Sequence, residues 1–321
     1  MFRESPREPT RDGVLRAAEK IAVLLPATPL LPVEIDGVRI HAKAEVVQPI
    51  GSFKIRGAWH RLTDLTEPER KAGVIAVSSG NHAQGVAWAA RELGIEAAIV
   101  MPADAPRVKL EATRALGAEI ILYDRAGGED RDAIANELCD ERGRVLVHAY
   151  ADPWVIEGQG SMGIEIARQL GREPSRIVVC CGGGGLAAGL ALACPDAAIH
   201  PVEPEGWDDV RLSLERGEIV RVGPNPPPTI CDSIQTPSTA PVNFAVLKRR
   251  AQPGVAVTDD EVRAAQRFAF SRLRLVVEPG GAAALAAAFA GKVPLDEGTV
   301  ITVTGGNTDA DAFARTISLS L

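Results

Sequence analysis

The sequence is poor in aromatic residues, and it has neither a long apolar run nor an excess of positive charge. Phe, Trp and Tyr make up 4% of its 321 residues, and no apolar stretch approaches the roughly 20 residues that span a bilayer. The formal net charge of −7 argues against a groove that binds nucleic acid. Residues 1–11 are charged and lack the apolar segment of a secretion signal. We therefore expect a cytoplasmic protein that binds neither membranes nor nucleic acids.

The five cysteines are scattered along the chain and do not form a CxxC pattern. Cys180 and Cys181 lie in an apolar run that is typical of a buried strand. We therefore expect reduced thiols inside the protein core.

Apolar segments typical of strands alternate with segments typical of helices along the chain. Hydrophobic residues make up 46% of the sequence, and this alternation is typical of a parallel sheet covered by helices. The pattern predicts seven strands, at 74–77, 97–100, 119–122, 145–147, 177–181, 198–202 and 300–303. Because 321 residues exceed one average domain, we expect an α/β fold with two lobes.

A lysine lies at a sharp bend just before a predicted helix. The segment Ser52–Gly57 contains Lys54, and Gly51 before it allows the backbone to turn tightly. A lysine at such a bend can lie beneath a planar cofactor, with Phe53 shaping the approach. The alternative is a surface lysine at the start of a helix.

A polar turn joins a second predicted strand to a helix. Ser78–Gly85 follows the apolar run 73–77 and precedes an alanine-rich helical stretch. Hydroxyl groups, an amide and backbone N–H groups at a helix N-terminus are suited to hold a carboxylate. Ordinary helix capping is the alternative, but it explains one such residue and not a run of polar and glycine positions.

Four consecutive glycines, Gly182, Gly183, Gly184 and Gly185, join another predicted strand to a helix. Without Cβ atoms, successive backbone amides can converge on a phosphate at the positive end of the helix dipole. The pattern Gly183-x-Gly185-x-x-Ala188 also fits a loose dinucleotide fingerprint, with Glu203 placed to bind a ribose hydroxyl. A nicotinamide-dependent oxidoreductase is therefore an alternative, although it would not need the lysine motif.

The last motif is a β-branched strand that ends in Thr304 and two glycines, with Glu278–Ala282 opening a helix upstream of it. With all these motifs in this order, the chain resembles the fold-type II pyridoxal-phosphate enzymes. Among them, it is similar to the threonine/serine dehydratase and serine racemase branch. The resemblance runs from Pro26 to Asn307, which is nearly the whole chain.

The resemblance implies a fold like that of the tryptophan synthase β chain, with two lobes that each contain a mainly parallel sheet covered by helices. Residues 73–149 would form a small mobile lobe, and residues 1–72 and 150–321 a large lobe that binds pyridoxal phosphate. The active site would lie in the cleft between them. A homodimer is expected from the same resemblance.

The resemblance also implies roles for individual residues. Lys54 would bind pyridoxal phosphate covalently and then act as the base on the Cα proton of an amino acid. Ser79 would act on the opposite face of the cofactor, which permits racemisation without proving it. The other implied cofactor contacts are Phe53 on the ring, Asn81 at the ring hydroxyl, Gly182, Gly183, Gly184 and Gly185 at the phosphate, and Thr304 at the ring nitrogen. The implied substrate contacts are Ser78, Ser79, Asn81, His82 and Arg131.

A divalent cation is expected near the acidic segment that follows Glu203. By resemblance its ligands would be Glu203, the backbone carbonyl of Trp207, and Asp209. Oxygen ligands suit Mg²⁺ or Ca²⁺ in a structural role. The alternative is a solvated acidic loop.

The expected activity is the pyridoxal-phosphate-dependent elimination of water from L-threonine or L-serine, which gives a 2-oxo acid and ammonia. Serine racemase and L-threo-3-hydroxyaspartate dehydratase are alternatives within the family. Arg131 bears on this choice, because it could pair with a second substrate carboxylate or could be a surface arginine at a helix start. A non-catalytic amino-acid-binding protein is disfavoured by the intact Lys54.

Overall fold

The computed structural model describes residues 7–105, 107–124 and 127–318, without the side chains of residues 108 and 109. Within these residues the chain forms two sheets. The six-stranded sheet has the order β1-β2-β10-β7-β8-β9, and the four-stranded sheet has the order β5-β4-β3-β6. The strands are β1 Leu30–Ile35, β2 Val38–Ala44, β3 Val74–Val77, β4 Ala97–Pro102, β5 Glu119–Tyr123, β6 Val145–Leu146, β7 Arg176–Cys180, β8 Ala198–Pro204, β9 Val255–Val257 and β10 Thr299–Val303.

The strand pairs are parallel except for β1 and β2, and helices cover both sheets. The predicted α/β class is therefore confirmed. The described helices are α1 Arg11–Leu24, α2 Lys54–Thr63, α3 Glu67–Ala72, α4 Asn81–Leu93, α5 Arg107–Ala115, α6 Arg131–Arg142, α7 Pro153–Leu170, α8 Gly185–Ala193, α9 Asp209–Arg216, α10 Pro241–Arg250, α11 Asp259–Phe268, α12 Pro279–Phe289 and α13 Ala310–Ser318. A π-helical turn, Ala269–Leu273, follows α11.

The seven predicted strands all form, each within two residues of its predicted bounds. Three further strands, β1, β2 and β9, were not predicted. The first two make an antiparallel hairpin around Asp36 and Gly37, whose φ angles are 51° and 78°. Two left-handed residues in a two-residue loop are typical of a type I′ turn, so the Asp-Gly pair was the available signal.

Small residues let the helices approach the six-stranded sheet closely. Residues 280–288 of α12 are all buried, and most of them are alanine. They pack in one apolar cluster with β7, β8 and β10, whereas α7 and α8 pack in a second cluster that includes other residues of β7 and β8. Side chains of alternate strand residues point to opposite faces, so the sheet is buried on both faces.

All four strands of the smaller sheet fall between residues 74 and 146. The lobe boundaries at 73 and 149, and the closure of the small lobe, stay predictions. None of the helices in the described part of the chain has the length and apolarity that crossing a bilayer requires. The five cysteines are buried and free of disulfides, as expected.

Candidate active site

The bend before Lys54 is fixed to the loop that follows β10. Gly51 has a φ of 68°, and its carbonyl oxygen accepts a hydrogen bond from the Gly306 N–H at 2.9 Å. Two residues later, the Phe53 N–H donates to the Thr304 carbonyl oxygen at 3.0 Å. These bonds hold the start of α2, and therefore Lys54, against the loop at the carboxyl end of β10 in the six-stranded sheet.

The Lys54 side chain is half-buried, and its amine is hydrogen-bonded within the protein. Its Nζ donates a hydrogen bond to the Ala149 carbonyl oxygen at 2.8 Å and lies 5.1 Å from the centre of the Phe53 ring. Burial lowers the pKa of Lys54 from 10.5 to about 8, and the negative charge of Glu278 opposes this shift. The amine therefore carries far more of its neutral, nucleophilic form at pH 7 than an exposed lysine does.

The polar turn between β3 and α4 leaves the N-terminus of that helix open. Gly80 is the N-cap residue of α4, and as a glycine it makes no side-chain cap hydrogen bond. The capping alternative is therefore wrong. The Ser78 hydroxyl accepts a hydrogen bond from the Gly80 N–H at 3.2 Å, while Ser79 is half-buried in the same turn. N–H groups at an uncapped helix start form a site for an anion.

Asn81 joins this turn to two distant segments. Its Nδ2 donates to a Glu278 carboxylate oxygen at 2.6 Å, and its Oδ1 accepts from the Asn307 amide at 2.7 Å. The same Asn307 amide donates to the Ile50 carbonyl oxygen at 2.8 Å. Asn81, the predicted ring-hydroxyl contact, is thus oriented by Glu278 and Asn307, and Asn307 is itself held by the segment before Lys54.

Glu278 is also part of the site. The sequence pattern placed it in a motif but gave it no role. It is the N-cap of α12 and is 5% exposed. The adjacent Gly305 has no Cβ to obstruct it, because a Cβ there would lie 2.1 Å from a Glu278 carboxylate oxygen. Its charge acts on Lys54, and its carboxylate holds Asn81.

His82 is buried in the first turn of α4. Its Nε2 lies 2.8 Å from the Val147 carbonyl oxygen and must donate, because a carbonyl oxygen only accepts. Its Nδ1 has no partner among the described residues. Burial and the nearby Lys54 charge lower the pKa of His82 to about 3, so this ring is neutral at physiological pH.

The glycine loop, residues 182–185, follows β7 and leads into α8. Gly184 has a φ of 88°, and no side chain caps the helix that starts after it. The Gly183 carbonyl oxygen accepts hydrogen bonds from the Thr239 hydroxyl, at 3.0 Å, and from the Asn243 amide. With this carbonyl turned away, the N–H groups at the start of α8 remain for an anion.

The ring of Tyr150 covers the glycine loop, and the sequence patterns did not indicate this residue. A Cβ at Gly183 would lie 2.3 Å from a Tyr150 ring carbon. The Tyr150 hydroxyl donates to the Ser238 carbonyl oxygen at 3.3 Å, and burial raises its pKa to about 12. Ala149, which accepts the hydrogen bond from Lys54, is its neighbour in the chain. The lysine and the glycine loop therefore meet through two consecutive residues.

Arg131 is the first residue of α6, and its side chain is 52% exposed. Its guanidinium lies 3.8 Å from the Asp132 carboxylate, in the same helical turn. Burial is the main cause that lowers the pKa of His148 to about 3, and the charges of Lys54 and Arg131 add to it. Arg131 thus lies within electrostatic reach of the site, at its outer edge.

Glu203 lies near the end of β8, and Asp209 is the first residue of α9. Both Glu203 carboxylate oxygens accept backbone N–H groups, from Val210 at 3.0 Å and Arg211 at 2.8 Å. Glu203 is fully buried, so it is not free to bind a ribose as the nicotinamide alternative requires. Burial raises the pKa of Glu203, and the charge of Asp209 raises it further.

One oxygen of the Asp209 carboxylate accepts the Thr239 N–H at 2.7 Å, and its other oxygen is buried with no partner among the described residues. Burial raises the pKa of Asp209 to about 7. No cluster of three His, Cys, Asp or Glu side chains suited to a metal occurs in the described part of the chain. The predicted site, however, uses two carboxylates and the Trp207 carbonyl. An unpartnered oxygen beside a second buried carboxylate fits a cation there.

Comparison with known proteins agrees with this arrangement. The family model "Pyridoxal-phosphate dependent enzyme" matches residues 22–305. A serine racemase of Schizosaccharomyces pombe is 37% identical over 97% of this chain and 98% of its own length. An L-threo-3-hydroxyaspartate ammonia-lyase of Pseudomonas sp. is 39% identical over 94% of this chain and 96% of its own. The crystal structure of a threonine deaminase from T.th. superposes with a TM-score of 0.84 at 39% identity, covering 94% of this chain and 99% of that one.

Proposed function

The chain belongs to the family of pyridoxal-phosphate dependent enzymes, and from this premise we propose that it eliminates water from L-threonine or L-serine to give a 2-oxo acid and ammonia. The observation that carries this proposal is the half-buried Lys54, whose amine has its pKa lowered to about 8, together with an open helix N-terminus and a glycine loop. A binding protein without catalysis would have no need for a lysine made nucleophilic in this way.

The residues present fit pyridoxal phosphate. The glycine loop would hold the phosphate, since side chains at Gly183 and Gly185 would collide with Tyr150 and the N-cap of α8 makes no side-chain cap hydrogen bond. Phe53 would pack on the ring, Asn81 would bind the ring hydroxyl and the Thr304 hydroxyl would meet the ring nitrogen. When bound, the cofactor withdraws electron density from the substrate Cα and so weakens the Cα–H bond.

The protein would supply binding and proton transfer. Ser78, Ser79 and the N–H groups at the start of α4 would hold the substrate carboxylate, beside the neutral His82. Lys54 would take the Cα proton, and the Ala149 carbonyl would orient its amine. The Cβ hydroxyl group would leave with that proton as water, and the remaining enamine would take up water to give the 2-oxo acid and ammonia.

The first test is release of 2-oxo acid and ammonia from four substrates by the purified protein supplied with pyridoxal phosphate and Mg²⁺. We expect turnover of L-threonine and L-serine, with little from D-serine or L-threo-3-hydroxyaspartate. Turnover of none of the four, with no racemisation of serine, would overturn the proposal. Turnover of hydroxyaspartate alone would show that hydroxyaspartate is the substrate, and not L-threonine or L-serine.

Two further activities have specific support. Serine racemisation is favoured by Ser79, which lies half-buried in the turn before α4. We expect Ser79→Ala to remove racemisation before elimination, and equal loss of both would refute its face-specific role.

Hydroxyaspartate elimination is favoured by Arg131, whose charge reaches His148. We expect Arg131→Ala to raise the KM for hydroxyaspartate while leaving that for serine unchanged.

We propose a structural Mg²⁺ or Ca²⁺ held by Glu203, the carbonyl of Trp207 and Asp209. Its support is a buried Asp209 oxygen that has no partner among the described residues, together with the nearby carboxylate of Glu203. We expect Mg²⁺ to raise the unfolding temperature of the wild type and not of Asp209→Asn. An equal rise in both proteins would place the cation elsewhere.

We also propose a homodimer in the cytoplasm, with a small lobe at 73–149 that closes over bound substrate. The support is the family resemblance. Sedimentation equilibrium tests the dimer, and scattering profiles with and without serine test the closure.

A further inference from the structure

The glycine loop, residues 182–185, has no side chains with which to fix its own backbone. Glycine reaches conformations that other residues rarely adopt, and Gly184 has a φ of 88°. A loop that binds a phosphate through its N–H groups loses affinity if those groups are ordered only when the phosphate arrives. We therefore looked for contacts from other segments that hold this backbone.

Two buried side chains, those of Thr239 and Asn243, hold one carbonyl group of the loop. The Gly183 carbonyl oxygen accepts a hydrogen bond from the Thr239 hydroxyl at 3.0 Å and another from the Asn243 amide. The two residues are 1% and 0% exposed, respectively. The opposite orientation of the Asn243 amide would set two oxygen atoms against each other, so its N–H must face the carbonyl. Both lone pairs of the carbonyl oxygen therefore have a donor.

These two hydrogen bonds also set the direction of the next N–H group. None of the described peptide bonds is cis, and in a trans peptide the C=O and N–H groups point in opposite directions. Since the Gly183 carbonyl is directed at Thr239 and Asn243, the Gly184 N–H points away from them. A Cβ at Gly184 would lie 2.9 Å from a Leu247 methyl carbon, so the loop packs closely against this segment. The peptide cannot turn over without losing both hydrogen bonds.

The two donors are themselves anchored by contacts that do not involve the loop. The Thr239 N–H donates to the Asp209 carboxylate at 2.7 Å. Asn243 lies in the first turn of α10, and its N–H donates to the Ala240 carbonyl oxygen at 3.1 Å. The loop is therefore held by groups that the rest of the protein has already fixed.

We propose that Thr239 and Asn243 are positioning residues that keep the glycine loop in the conformation that binds the cofactor phosphate. They act through the peptide between Gly183 and Gly184, and not by contact with the phosphate. This inference rests on the proposed function. It adds to the phosphate site two residues that no sequence motif indicated.

The test compares the affinities of Thr239→Val for pyridoxal phosphate and for pyridoxal, which lacks the phosphate. Both compounds can react with Lys54, so the dissociation constant of pyridoxal divided by that of pyridoxal phosphate reports the phosphate site. Valine keeps the shape of threonine but has no proton to donate. We expect this ratio to fall about fivefold, the usual effect of one hydrogen bond, with the affinity for pyridoxal unchanged. Thr239→Ser keeps the hydroxyl and should keep the wild-type ratio.

Asn243→Leu removes the other donor and should lower the ratio by a similar factor, so it decides the question should Thr239→Val not fold. The matched control is Thr316→Val, which removes a hydroxyl that donates to the Ala312 carbonyl oxygen within α13 at 3.2 Å. It should leave both affinities unchanged.

An unchanged ratio in a folded Thr239→Val or Asn243→Leu would overturn the proposal. Equal weakening of both compounds would also overturn it, because a merely structural role predicts that result. A fall as large in Thr239→Ser or Thr316→Val would contradict the assignment to these two donors. Failure of the wild type to bind pyridoxal phosphate would instead overturn the proposed function, and this inference with it.

Discussion

The Lys54 amine sets the pH dependence with which the cofactor-free protein binds pyridoxal phosphate covalently. Burial lowers its pKa from 10.5 to about 8. Each pKa unit is a factor of ten, so the neutral fraction at pH 7 rises about 300-fold over that of an exposed lysine. Below pH 8 the amine is mostly protonated and unreactive, and above it mostly neutral. The rate of covalent binding should therefore rise with pH, pass its midpoint near pH 8, and level off at higher pH.

The perturbation that tests this reasoning is Glu278→Gln. The negative charge of Glu278 raises the pKa of Lys54 against the effect of burial, so its removal should move the midpoint to lower pH. Glutamine keeps an oxygen that can accept the Asn81 amide, which preserves the geometry of the turn. Stopped-flow absorbance of protein mixed with cofactor between about pH 6 and pH 11 measures both midpoints. A wild-type midpoint near 10, or a shift to higher pH in the variant, would refute the assignment.

Three further changes test the surroundings of the lysine. Gly183→Ala should weaken cofactor binding at least tenfold in an equilibrium titration, because the added Cβ would lie 2.3 Å from a tyrosine ring carbon. Gly223→Ala is the control, since a Cβ there meets open space and should leave the affinity unchanged. Equal affinities of the two variants would contradict phosphate binding by the glycine loop. Arg56→Leu should lower the free energy of unfolding in urea by about 3–5 kcal/mol, because it leaves a fully buried glutamate without its cation. Arg91→Leu breaks an exposed ion pair and should lower it by less than about 1 kcal/mol. Similar losses in the two variants would contradict this expected difference. His82, whose pKa is lowered to about 3, should show no protonation by NMR above pH 5, and titration near 6.5 would contradict its burial.

The local part of the site could be predicted from the sequence because each piece is made by a few consecutive residues. The lysine bend lies just before the helix that its own sequence predicted. The open start of α4 and the glycine loop each form where a strand ends and a helix begins, and apolar runs marked those two strands to within two residues. The same logic could have found the hairpin at Asp36 and Gly37, where the turn pair was overlooked.

The contacts that orient these pieces could not be predicted in this way. The hydrogen bond from Asn81 to Glu278 joins residues 197 positions apart, and that from Lys54 to Ala149 spans 95. Such pairs depend on how the two sheets pack, and no local pattern encodes that packing. Tyr150 is the clearest case, because nothing in its own segment indicates that its ring will cover Gly183.

The central claim is that Lys54 binds pyridoxal phosphate and performs the chemistry, and reduction of the holoenzyme with borohydride tests it most directly. Peptide mapping of the reduced protein should find the cofactor on the peptide that contains Lys54. The Lys54→Ala variant should carry no covalent cofactor and release no 2-oxo acid from L-threonine or L-serine. Cofactor on another lysine, or turnover that survives in Lys54→Ala, would contradict the account.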